Sequence, residues 1–197
     1  MKISDIDVLD HRKSEAAADD HFMARWSPRA MSGKPLSKEQ MVILVEAARW
    51  APSCFNLQPW RFVYSLKQDQ YWDTYLALLM DMNRVWAEQA GALVVILSND
   101  QFKDSAESSP TSGFDTGSAW MSMALQAQSM GLVSHAMWGF HHQKVRETIG
   151  AELHMTARAL VAIGYPGDSE TLPENYREKE IPSSRSSIDE LMFNGML

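Results

Sequence analysis

Ala47-Ala48-Arg49-Trp50-Ala51-Pro52-Ser53-Cys54-Phe55-Asn56-Leu57-Gln58-Pro59-Trp60-Arg61-Phe62 carries a helix into a strand through a loop bounded by two prolines. Each proline fixes φ and removes a backbone donor, so the loop extends neither element. Between the prolines stand Ser53, Asn56 and Gln58. An ordered loop with a hydroxyl and two amides suits the polar rim of a heteroaromatic ring. A rigid turn with side-chain caps would use the same residues.

Upstream, Ser37 and Gln40 form a capping box, and Val42, Val45, Glu46, Ala48 and Arg49 follow as a helix ending near Pro52. Downstream, Trp60 to Tyr64 reads as a strand, Gln70 to Met80 as a helix and Ala92 to Leu97 as a buried strand. Asp115 is read as the N-cap of a long helix running to Met130, where Gly131 ends it. Gly117, Ser118 and Ala119 give its start a small-residue face open to another backbone or a flat ligand. Leu132 to Met137 and Ala157 to Gly164 are strands, with a helix from Gln143 to Ile149 between them. The N-terminal part up to Ala24 reads as one or two helices, Lys103 to Ser112 as an exposed loop and Gly167 to Arg177 as irregular surface. Helices alternating with isolated strands imply a sheet sandwiched between helices.

The chain has 197 residues, 45% of them hydrophobic, enough for one domain with a substantial core. The run Ala92 to Leu97 is too short to cross a bilayer, and no secretory signal is seen. One cysteine, Cys54, excludes an internal disulfide framework and fits a cytoplasmic setting. A net charge of −7 argues against nucleic acid or an anionic membrane as partner.

Four segments carry candidate chemistry. Arg25-Trp26-Ser27-Pro28-Arg29 presents two guanidinium forks with a hydroxyl between them, suited to one anion, although taken alone the segment reads more readily as a solvated basic loop. The loop from Pro52 to Pro59 is the second. Trp138-Gly139 follows a strand, where glycine lets a backbone approach a ligand or simply make a turn. Arg185, among four serines, either completes an anion site or sits on a mobile tail. His135, His141 and His142 match no metal pattern. Cys54 has no basic partner nearby in sequence, so a packed thiol is expected. No G-x-G-x-x-G loop is present, which disfavours a Rossmann-bound nicotinamide.

These pieces, in this order, resemble the FMN-dependent nitroreductase family: R-x-S-x-R, then A-A-R-W-A-P-S-x-x-N-x-Q-P-W-x-F, a D-x-G helix, a strand ending in glycine, a strand ending I-G-Y-P, and a late arginine. The resemblance runs from about Met23 to the C-terminus. It implies a single α+β domain over 1–197, with 1–22 a variable N-terminal helical segment. The implied fold is a three-layer α-β-α sandwich with a mostly antiparallel central sheet. It also implies a homodimer with FMN at the interface. Arg25, Trp26, Ser27 and Arg29 match its first FMN segment, Arg25 and Ser27 facing phosphate and ribityl and Arg29 the N1–C2=O edge. Pro52, Ser53 and Asn56 match the loop against the ring, Trp138 and Gly139 the segment beside it, and Arg185 the phosphate-binding arginine.

The implied activity is transfer of electrons from NADH or NADPH to a small acceptor such as a nitroaromatic, quinone or enone, in two half-reactions without a catalytic side chain or metal. A non-catalytic flavin-binding or scaffold protein of the same fold is the alternative. The sequence departs from the family in three places. Ser183 stands where many members are basic, the N-terminal segment is longer than usual, and the stretch from Trp86 to Asp115 lacks a helical insertion over the substrate.

Overall fold

The computed structural model describes residues 1–103, 105 and 107–196. Four strands form one sheet: β1 (Trp60–Leu66), β2 (Ala92–Asn99), β3 (Val133–Met137) and β4 (Met155–Gly164), in the order β1-β2-β4-β3, every neighbouring pair antiparallel. Seven helices accompany them among the described residues: α1 (Asp20–Ala24), α2 (Lys38–Ala48), α3 (Trp72–Leu76), α4 (Asp81–Ala87), α5 (Ser112–Ser129), α6 (His142–Ile149) and α7 (Glu174–Arg177).

The central strands explain the layering. β2 is buried along nearly its whole length, which is why it reads as an unbroken apolar run. Leu93, Val95, Leu97, Leu160 and Ala162 point to one face, against Trp72, Leu76, Trp86 and Val145. Val94, Ile96, Val161 and Ile163 point to the other, against Met41, Leu44, Ala119 and Met123. With α2 and α5 on one side and α3, α4 and α6 on the other, the domain is the expected helix–sheet–helix sandwich.

Several boundaries differ from expectation. The helix expected over 70–80 stops at Leu76. Leu78 and Leu79 turn into the core, and the Met80 amide donates to the Gly139 carbonyl (3.1 Å) before α4 begins. This long-range pairing overrides the local helical pattern. Asp115 is not the N-cap of α5: Thr111 holds that position and Asp115 lies buried within the helix. The segment 167–177 contains a 3-10 turn, Ser169–Thr171, as well as α7. The N-terminus contains two 3-10 turns, Ile3–Asp5 and Val8–His11, before α1. Of the polar stretch 103–112, positions 104 and 106 lie outside the described residues, and Ser112 already belongs to α5. Among the described residues, no helix is long and apolar enough to cross a membrane.

Candidate active site

The loop 52–59 holds an unusual backbone. Phe55 (φ 49°), Asn56 (φ 55°) and Gln58 (φ 49°) are all left-handed, and none is glycine. Each such residue costs about 1–2 kcal/mol, so the loop persists only because its surroundings over-determine it. Ser53 Oγ accepts from the Gln58 amide (3.0 Å), the Ser53 carbonyl from the Asn56 amide (3.0 Å), and Asp115 Oδ2 from the Cys54 amide (3.2 Å). Asp115 also accepts from Thr111 Oγ1 (3.2 Å), tying the loop to the first turns of α5. Pro52 and Asn56 face outward, and Phe55 is 87% exposed.

A second group gathers where α1 ends. Arg25 donates from Nη1 to Ser27 Oγ (3.2 Å), while its buried Nε has no hydrogen-bond partner. Trp26 is half-buried against the core. Arg185 folds onto its own segment, Nη1 donating to Ser183 Oγ (3.1 Å) and the Ser184 carbonyl (2.8 Å). Between the two segments sits Arg12, which the sequence reading did not single out. Its Nη1 donates to the carbonyls of Met23 and Arg25 (2.7 Å to the latter), and its Nε donates to that of Ser183 (3.2 Å). Burial, and next the charge of Arg185, push both Arg12 and Arg25 below the usual arginine value. Among the described residues, none of these three guanidinium groups is ion-paired with a carboxylate. Arginines without carboxylate partners, two of them partly buried (Arg12 and Arg25) and one exposed (Arg185), suit an oxyanion such as phosphate.

Arg29 is placed differently. Its Nη1 lies 3.5 Å from Oε2 of the buried Glu180, and its guanidinium stands over the Tyr176 ring, 5.7 Å from the centroid. Glu180 Oε1 accepts from the Arg29 and Ala30 amides (2.7 Å to the latter). Glu180 is a second residue the sequence reading missed. Behind this segment, His135 on β3 packs on Trp86 with ring centroids 4.8 Å apart and lies 3.3 Å from the Pro28 carbonyl. Burial drives its pKa down to about 4, so near neutral pH the imidazole is uncharged and a ring N–H is available to donate to that carbonyl.

Past β3, Trp138 is 70% exposed, its ring 4.3 Å from that of His142. The Gly139 carbonyl accepts from Asn83 Nδ2 (3.1 Å) as well as from the Met80 amide. A Cβ at Gly139 would stand 2.5 Å from Asn83 Nδ2, so the glycine admits the start of α4 to close approach.

The candidate residues fall into two groups at opposite edges of the sheet. Arg25, Ser27, Arg29, Trp138 and Gly139 lie along the β3 edge of the sheet, and Arg185 joins Arg25 there through Arg12. Pro52, Ser53 and Asn56 precede β1, at the opposite edge. Two strands intervene, a separation of roughly 14 Å across the sheet. Near the loop 52–59, α5 leaves a stripe of Phe114, Gly117, Ser118, Met121 and Leu125 at least partly uncovered, and Trp50 and Phe55 are also exposed.

An antiparallel sheet sandwiched between helices, with an arginine cluster at one edge and a strained, amide-bearing loop at the other, defines the domain as α+β. The chain belongs to the nitroreductase family, whose sequence model matches residues 22–165. It is 39% identical to a solved oxidoreductase containing FMN, with a TM-score of 0.91 over 94% of this chain and 95% of that one. It is 25% identical to an NADH dehydrogenase of Thermus thermophilus, over 83% of this chain and 91% of that protein. A nitroreductase family protein of Clostridium difficile 630, 20% identical, shares the fold with a TM-score of 0.67 over 88% of this chain and 95% of its own.

Proposed function

We propose that the chain is an FMN-dependent oxidoreductase that works as a homodimer, taking electrons from NADH or NADPH and delivering them to a small acceptor such as a quinone, nitroaromatic or enone. The observation that carries this reading is the arginine cluster: Arg12, Arg25 and Arg185 lack carboxylate partners among the described residues, and Arg25 Nε is buried and unpartnered. An orphaned donor among uncompensated cations fits the phosphate of FMN. The 39% identical structure that contains FMN supports the same choice.

Bound FMN supplies the hydride chemistry. Arg25, Ser27 and Arg185 hold the phosphate end. Arg29 faces the N1–C2=O edge, its charge partly offset by Glu180, and stabilises negative charge there. Trp138 and Gly139 border the ring from one subunit, and the Pro52–Asn56 loop of a second copy closes it from the other. Donor and acceptor occupy the cleft in turn, and no side chain transfers a proton.

Steady-state oxidation of NADH and of NADPH by the purified holoprotein, with a quinone added, tests this reading. Sustained turnover is expected with at least one donor. A flavin-loaded protein that turns over neither would instead be a binding or scaffold protein.

A further inference from the structure

Arg12 lies in the segment before the family match, which begins at residue 22. Its guanidinium donates to carbonyls on both sides of the arginine cluster, those of Met23 and Arg25 on one and that of Ser183 on the other. It is the direct bridge between the segments that carry Arg25 and Arg185. Its remaining nitrogen, Nη2, makes no hydrogen bond among the described residues. A cavity of about 380 Å³ opens beside it, lined also by Lys13, Ser14, Ser184, Arg185 and Ser186. Glu15 borders the same cavity, but it accepts from the Ile188 amide (2.8 Å) and forms no ion pair with the arginines. Gathering three like charges is unfavourable: after burial, the charge of Arg185 disfavours the charged forms of Arg12 and Arg25, and Arg25 adds to the effect on Arg12. A bound dianion reverses that repulsion.

We infer that Arg12 is a positioning residue for phosphate recognition, holding Arg25 and Arg185 on one phosphate and adding a third positive charge, so that the chain selects a phosphorylated flavin over an unphosphorylated one. The inference rests on the FMN reading. A phosphate role and a merely structural role differ in one respect: the first affects FMN alone, while the second affects every flavin.

The test is titration of the flavin-stripped full chain with FMN and with riboflavin, for wild type, Arg12→Gln and Arg12→Lys. Arg12→Gln should weaken FMN at least tenfold, about 1.4 kcal/mol, and leave riboflavin within twofold. Arg12→Lys retains the charge but cannot bridge the carbonyls with a planar fork. It should lose FMN affinity by a smaller factor, about threefold, and it reports on the site even if the Gln variant fails to fold. Equal losses for both flavins, or wild-type FMN affinity in either variant, would overturn the role of Arg12. A wild-type chain that takes up no FMN would overturn the flavin reading itself.

Discussion

Burying a carboxylate is unfavourable unless amides or cations surround it, and Glu180, 1% exposed, has both: the Arg29 and Ala30 amides at one oxygen and the Arg29 guanidinium near the other. The two side chains therefore set opposing fields at the proposed ring edge. Arg29→Met should lower the flavin midpoint potential and Glu180→Gln should raise it, each by on the order of 30 mV, about 1.4 kcal/mol for a two-electron couple. Potentiometric titration that finds both variants unmoved, with FMN bound, would remove the pair from the ring. His135 offers a separate test. Its folded pKa of about 4 lies below the ordinary value of 6.5, so between those values the unfolded chain binds the extra proton. Stability should be fully present above pH 6.5 and decline as pH falls toward 4. His135→Gln should flatten that part of the profile, read from urea midpoints at pH 7 and pH 5.

Asp115 shows how one element fixes another. It draws the Cys54 amide onto α5 while Ser53 closes the loop from inside. Asp115→Ala strips a buried acceptor from that amide and from Thr111, and should lower stability by about 2 kcal/mol. A urea midpoint equal to wild type would show that the loop holds itself. At this scale the sequence was legible where the signal is local: Ser37 and Gln40 form the capping box that the pattern requires, and the apolar run of β2 is the buried strand. Asp115 was misplaced because a carboxylate favours a helix start both as N-cap and within the first turns. The break after Leu76 depends on pairing with Gly139, more than sixty residues away. No glycine marks the left-handed positions 55, 56 and 58, and nothing in their spacing reveals them. Arg12 and Glu180 escaped for the same reason, since their partners are distant in sequence.

At the scale of the whole molecule, the proposed site joins two residue groups that lie at opposite sheet edges of one chain, and so the proposal calls for two copies to meet. The partly uncovered stripe on α5 is suited to that meeting, and Gly117 lies in it with no atom within 4 Å of where a Cβ would stand. Gly117→Arg therefore fits the isolated subunit yet blocks close approach. Light scattering should show a dimer for wild type and a monomer with little FMN for the variant. A variant that remains a flavin-loaded dimer would move the interface elsewhere.

The flavin itself is the most direct test of the whole account. Purified protein, incubated with FMN and freed of excess, should be yellow and hold one flavin per subunit. Denaturation should release a species that co-chromatographs with FMN. Release of FAD, or a colourless protein that takes up no FMN, would contradict the account.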